Sequence, residues 1–185
     1  MKPVERNSLL DYVTYEERRD EIRTRILEEK RVRRVHVGGV LTFLFENAHT
    51  IRYQVQEMMR AERIVKEADI RHELDTYNDL LGAPGELGCT LLIEIEDVAV
   101  RAAKLSAWLE LPWHVYASLE NGDKVYARFD DRQIGEDRLS SVHYLKFDVR
   151  GRLPVAIGVD LTGKLEEETA LSPEQRAALG RDLAG

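Results

Sequence analysis

The hydrophobic periodicity of the chain changes at Gly82–Gly85, and this change constrains the fold more than any other feature. Before it, apolar residues recur at helical spacing, and the two glycines with Pro84 stop the last helix. After it, Thr90–Glu96 reads as a half-buried strand. The sequence therefore predicts an α+β fold in a single domain over residues 1–185, with a helical portion at 1–81 and an α/β portion at 86–185.

The helical portion is predicted to be an N-terminal arm of two or three helices. Thr14 and Glu17 fit a capping box that starts a helix ending near Lys30. A short β-like piece at 35–37 is broken by Gly38-Gly39, and further helices are predicted over 41–68 and 69–81. The first helix has only a thin apolar stripe, so we expect it to lie across a surface or to pack against a partner chain.

The α/β portion is predicted to be a mainly antiparallel sheet with a packed helix and a C-terminal helix. Asn121-Gly122 is a strong hairpin signal between two strands, and Ser172-Pro173 with Gln175 fits the start of the last helix. Asp97 can cap a helix that ends near Leu109. The predicted strands after Thr90–Glu96 are Trp113–Leu119, Lys124–Phe129, Ser141–Val149 and Leu153–Leu161, the last two separated by a turn at Arg150-Gly151.

Composition excludes several classes of protein. The net charge of −7 does not favour nucleic acid as a partner, because binding a phosphate backbone requires a cationic surface. No apolar run approaches the roughly 20 residues that cross a bilayer, and the N-terminal residues lack the apolar core of a secretory signal. Cys89 is the single cysteine, so no internal disulfide can form. These observations predict a cytoplasmic protein without membrane contact.

The segment 45–64 contains the candidate functional residues. It reads as part of one helix, with Asn47 and Glu62 on the same side as Ile51 and Val55, and polar atoms on an apolar face need partners. We therefore expect Glu62→Ala to destabilise the protein more than Glu67→Ala. The candidate residues for binding a partner or ligand are Glu46, Asn47, Thr50, Gln54, Glu57, Met58, Arg60, Glu62 and Arg63.

Two chemical interpretations of the same segment stay open. Glu57 or Glu62 could act as a general acid or base, with Arg60 or Arg63 holding an anion, although no motif supplies a nucleophile. Alternatively, the acid-x-x-His pairs Glu46/His49 and Asp69/His72 could contribute to an iron site or another divalent-metal site. This spacing arises easily by chance in an acidic chain, so exposed or ion-paired side chains are favoured and no cofactor is predicted.

Several motifs together resemble an uncharacterised bacterial family, a domain of unknown function of about this chain's length. They are Phe45-Glu46-Asn47 with the run to Ile64, Glu73-Leu74 with Tyr77-Asn78, Glu94–Asp97 with Arg101, and Leu171-Ser172-Pro173 with the following helix. Many members carry a His-Pro segment after the last strand, where this chain has Asp160–Gly163.

The resemblance implies a role beside redox proteins. Genes of this family often lie near those of rubrerythrin and of iron–sulfur oxidoreductases. The resemblance therefore implies one of these proteins as a partner. Together with the thin apolar stripe of the first helix, it favours a homodimeric accessory protein of a redox or iron-related system. The alternative is a small enzyme or a carboxylate/histidine metal-binding protein that uses the polar segment 45–64.

Overall fold

Two four-stranded antiparallel sheets form the centre of the computed structural model, which describes residues 1–185. With five α-helices around them, they confirm the predicted α+β fold. The strands are β1 Arg34–Val37, β2 Leu41–Phe45, β3 Leu87–Ile93, β4 Val115–Leu119, β5 Lys124–Tyr126, β6 Val142–Phe147, β7 Pro154–Leu161 and β8 Leu165–Ala170. The helices are α1 Tyr12–Arg31, α2 Ala48–Ala61, α3 Glu67–Asn78, α4 Val98–Ala107 and α5 Pro173–Ala184.

The first sheet has the strand order β1-β2-β3-β6 and the second the order β5-β4-β7-β8. One apolar core contains residues from both sheets, such as Phe43, Leu91 and Leu145 from the first and Val115 and Ile157 from the second. The sheets also meet at one edge, where Arg128 and Lys146 exchange two backbone hydrogen bonds of 2.8 Å. Pairing there satisfies backbone groups that an open sheet edge would leave to solvent.

The N-terminal helices form a second layer with a core of its own. Ile51, Val55 and Met59 recur at every fourth position of α2 and pack with Leu74 of α3. On α1, Tyr15 and Ile26 are buried by packing within the same chain. The predicted N-terminal helices are therefore present and pack as a layer within the same chain. None of them is long and apolar enough to span a membrane.

The predicted helix over 41–68 is wrong at its first part. Residues Leu41–Phe45 form β2, which pairs with β1 and β3, and the helix begins only at Ala48. Gly38 and Gly39 have positive φ angles of 59° and 72°, so these glycines make the turn between β1 and β2. The cap of α1 also differs from the prediction: the Asp11 carboxylate, and not Thr14, accepts hydrogen bonds from the backbone at the start of the helix.

The second half follows the prediction more closely. The β4–β5 hairpin around Asn121-Gly122, the Asp97 cap of α4 and the Ser172 capping box of α5 are all confirmed. The strands on either side of Arg150-Gly151 do not pair with each other, because β6 belongs to the first sheet and β7 to the second. The edge strand β8 was not predicted.

Candidate functional site

The polar run after β2 begins with a helix cap formed by Asn47 and Thr50. The Asn47 side-chain oxygen accepts hydrogen bonds from the backbone N–H groups of His49 and Thr50, both at 3.0 Å. The Thr50 hydroxyl accepts the backbone N–H of Asn47 at 3.0 Å. These bonds satisfy donors that a helix N-terminus leaves without intrahelical partners. Asn47 is therefore buried as an N-cap and does not require a ligand.

Glu46 lies buried between α2 and the first sheet. One carboxylate oxygen accepts the Thr90 hydroxyl at 2.8 Å and the other accepts the Thr50 hydroxyl at 2.5 Å. Lys30 lies close enough to Glu46 to interact with it electrostatically, and its ammonium is 5.4 Å from the ring centroid of Tyr53. Burial lowers the pKa of Lys30. Glu46 thus joins the helical layer to the sheet through hydroxyl groups.

Glu57 of α2 forms hydrogen bonds with two side chains of α1. Its carboxylate accepts the Tyr15 hydroxyl at 2.6 Å and two N–H groups of Arg19 at 2.8 and 2.7 Å. The hydrogen bonds from Arg19 hold the pKa of Glu57 below its ordinary value. Burial, reinforced by the hydrogen bond to Glu57, raises the pKa of Tyr15. The Arg60 Nε donates to Glu16 at 2.6 Å and makes a second ion pair between the same helices. Two of the candidate catalytic residues therefore have intramolecular partners.

The helix boundary corrects the predicted position of Glu62. Because α2 ends at Ala61, Glu62 is its C-cap and is exposed, so Asn47 and Glu62 do not share an apolar face. Arg63 is exposed and has a positive φ of 54°. Gln54 and Met58 are half-buried. Glu67 bonds to Arg6 and Arg71, so the expected order of the Glu62→Ala and Glu67→Ala variants is reversed.

The candidate metal ligands do not come together. Glu46 bonds to threonines, whereas the His49 Nδ1 lies 3.1 Å from both carboxylate oxygens of Glu29. Asp69 and His72 are exposed on α3. No group of three or more His, Cys, Asp or Glu side chains is arranged to hold a metal ion.

A cleft that the sequence did not indicate lies beside β6. Its volume is about 670 Å³, and its lining includes Phe129, Gln133, Tyr144 and Lys146. Trp113, 47% exposed, packs edge-on against Phe129 with ring centroids 5.0 Å apart. These aromatic residues come from three separate segments, so no local motif connects them.

The comparisons with known proteins agree with this structure. The family model DUF3501, described as a protein of unknown function, matches residues 3–183. The chain belongs to the DUF3501 family. A crystal structure of a "novel protein of unknown function" from Burkholderia pseudomallei K96243 is similar, with a TM-score of 0.89 and 30% sequence identity. The match covers 98% of this chain and 100% of that one. The search of curated proteins gave no significant match.

In this DUF3501 chain, we expect Glu57→Gln to lower the free energy of unfolding at pH 7 by about 1 kcal/mol, because it removes the charge that Arg19 binds. The folded pKa of Glu57 is depressed, so its contribution is present above the unfolded pKa of about 4.3 and is lost as the pH falls through the folded pKa. Urea unfolding at neutral and acidic pH should show the difference from wild type shrinking on acidification. The exposed control Glu62→Gln should match wild type at both pH values, and a Glu57→Gln deficit that persists unchanged in acid would contradict the assignment.

Proposed function

We propose that this protein is a cytoplasmic, homodimeric accessory protein that binds a protein partner in a redox or iron-related system. The family resemblance implies a rubrerythrin or an iron–sulfur oxidoreductase as that partner. The intramolecular bonds of α2 support a binding role over a catalytic one, because Glu57 and Arg60 hold the helical layer together.

A patch of exposed and half-buried aromatic side chains carries the proposal. We call Trp113, Phe129 and Tyr144 the aromatic patch. Trp113 is 47% exposed and packs against the half-buried Phe129, which lines the cleft together with Tyr144, 42% exposed. Tryptophan and tyrosine are enriched at protein interfaces, where an exposed ring beside a cleft provides an anchor and a receiving pocket.

The backbone under the patch is held in place before any partner binds. The Gln133 side-chain oxygen accepts the Tyr144 N–H at 2.7 Å, and its amide donates to the Tyr144 carbonyl at 3.1 Å. The loop is therefore fixed to the outer edge of β6, beside the pairing of Arg128 with Lys146. Ordering of a loop costs free energy on binding, so a loop that is already fixed favours association.

Charged groups of both signs surround the cleft. Arg128 pairs with Glu86, and Asp79 and Lys146 also line the cleft. Mixed charges at the rim of an apolar patch set the orientation of a partner more than its affinity. The proposed partner therefore presents an apolar anchor side chain surrounded by charged residues.

We expect the double variant Trp113→Ser/Tyr144→Ser to bind the partner at least about tenfold more weakly, because it removes two aromatic anchors. The measurement is surface binding of purified rubrerythrin and, separately, of an iron–sulfur oxidoreductase, the two partners that the family resemblance implies. Val65→Ser is the matched control, since Val65 is an apolar residue 72% exposed outside the patch. Sedimentation velocity should give a dimer. A monomer that binds neither protein would refute the proposal.

The alternative role predicts a different composition of the purified protein. Elemental analysis of protein prepared without chelator would show about one metal ion per chain if Glu46 and His49 formed part of a metal site. If the bound metal were also lost in the His49→Ala variant, the metal-binding role would replace the accessory role.

A further inference from the structure

A second groove, between α1 and α2, concentrates positive charge. It has a volume of about 170 Å³, and its basic lining residues are Arg18 and Arg25 from α1 and His49 and Arg52 from α2. Arg18 and Arg25 are seven residues apart, which places them on one face of α1. No aspartate or glutamate belongs to the lining.

Only part of this charge is neutralised within the chain. Arg25 bonds to Glu21, and His49 lies beside Glu29, but Arg18 and Arg52 form no ion pair. Arg18 and Arg52 line the same groove, and because like charges repel, an anion bound between them would offset that repulsion.

Other polar groups that line the groove are already occupied. The Gln56 side chain bonds to both backbone groups of Leu10, at 2.6 and 3.2 Å, and the Ser8 hydroxyl donates to the Glu5 carbonyl at 2.7 Å. The Tyr15 hydroxyl donates to Glu57. The N–H groups of Arg18 and Arg52 therefore remain as donors for a ligand.

We propose that the groove between α1 and α2 binds a small, doubly charged oxyanion, such as a phosphate group or a dicarboxylate, through Arg18 and Arg52. Its volume is below the roughly 300 Å³ at which pockets for larger organic ligands begin, so the ligand is of phosphate or small dicarboxylate size. Arginine binds both groups with two parallel N–H donors. The ion pair of Glu57 with Arg19 fixes the spacing of the two helices before the anion enters.

The test is isothermal titration of the full chain with inorganic phosphate and, separately, with malonate, at constant ionic strength set by sodium chloride. We expect saturable binding of at least one anion, and Arg18→Gln/Arg52→Gln should weaken it at least about tenfold. Tighter binding of phosphate would identify a phosphoryl ligand, and tighter binding of malonate a dicarboxylate. The control Arg71→Gln removes an exposed arginine of α3 outside the groove and should bind as wild type does.

A second measurement separates loss of the site from loss of the fold. Without anion, Arg18→Gln/Arg52→Gln should melt at the same temperature as wild type or higher, because the substitutions remove like charges. With saturating anion, only wild type and Arg71→Gln should gain melting temperature. Equal anion binding by the double variant, or no binding of either anion beyond the sodium chloride control, would overturn the proposal.

Discussion

Asp182→Ala is expected to lower the free energy of unfolding by about 3 kcal/mol, because it removes the bidentate counter-charge of the buried Arg33 guanidinium and leaves only the Glu29 carboxylate, 3.6 Å away. Arg33 Nε donates to Asp182 at 2.8 Å and Nη2 donates at 2.9 Å, and the two side chains are only 5% and 7% exposed. Arg33 also donates to the Glu29 carbonyl at 3.1 Å. Arg33 follows the end of α1 and Asp182 lies on α5. Loss of their ion pair would therefore affect both ends of the chain.

Urea unfolding of three variants tests the argument. Glu120→Ala breaks the exposed pair with Arg176 and should change stability by less than about 0.5 kcal/mol. Arg33→Met/Asp182→Leu removes both buried charges and should recover much of the Asp182→Ala loss. A loss in Asp182→Ala no larger than in Glu120→Ala would show that Arg33 is solvated without its partner.

Gly88→Ala should be among the most damaging small substitutions in the chain. A Cβ at Gly88 would lie 1.9 Å from the carbonyl oxygen of Leu80, and that oxygen belongs to backbone, which cannot rotate away. The Gly88 carbonyl also accepts the N–H of Glu46 at 2.9 Å, so moving β3 would disturb the start of the candidate segment. We expect a loss of about 3 kcal/mol, measured by urea unfolding.

Gly180→Ala provides a control that should change the free energy of unfolding in the opposite direction. Gly180 lies inside α5, and the nearest atoms to an added Cβ are those of Leu153 at 3.9 and 4.0 Å. Alanine should therefore stabilise the helix by up to about 1 kcal/mol. If Gly88→Ala unfolds at the same urea concentration as Gly180→Ala, that result would contradict the close approach of the Leu80 carbonyl to Gly88.

Local signals predicted the elements that depend on neighbouring residues. The turn at Asn121-Gly122 requires a positive φ, which Gly122 adopts at 86°. The cap at Ser172 needs only Gln175, three residues later. Both motifs are complete within a few residues, so their identification does not depend on the rest of the fold.

Elements whose environment is set by distant residues could not be predicted in this way. β2 is buried at all five positions, so its sequence has no alternation to separate it from a buried helix. β8 is almost wholly polar and becomes a strand because β7 pairs with it. Its edge position leaves its side chains mostly solvated, which removes the apolar pattern.

The candidate site also combines features that neighbouring residues reveal with features that depend on distant residues. The segment 45–64 was identified from its polar composition, but Arg19, the residue that binds Glu57, is 38 positions away. The aromatic patch combines Trp113, Phe129 and Tyr144 from separate loops and strands, and the arginines of the groove come from two helices. Sequence spacing within one helix can show that Arg18 and Arg25 share a face, but it does not show which helix lies opposite.

The position of β3 has a consequence for how the protein unfolds. β3 lies between β2, from before Gly82–Gly85, and β6, from after it, so neither side of that segment contains the whole first sheet. We therefore expect the segment Gly82–Gly85 to mark a change in hydrophobic periodicity within one domain. We expect the helices and both sheets to lose structure in one cooperative transition, with the melting of α2 and of β7 coinciding.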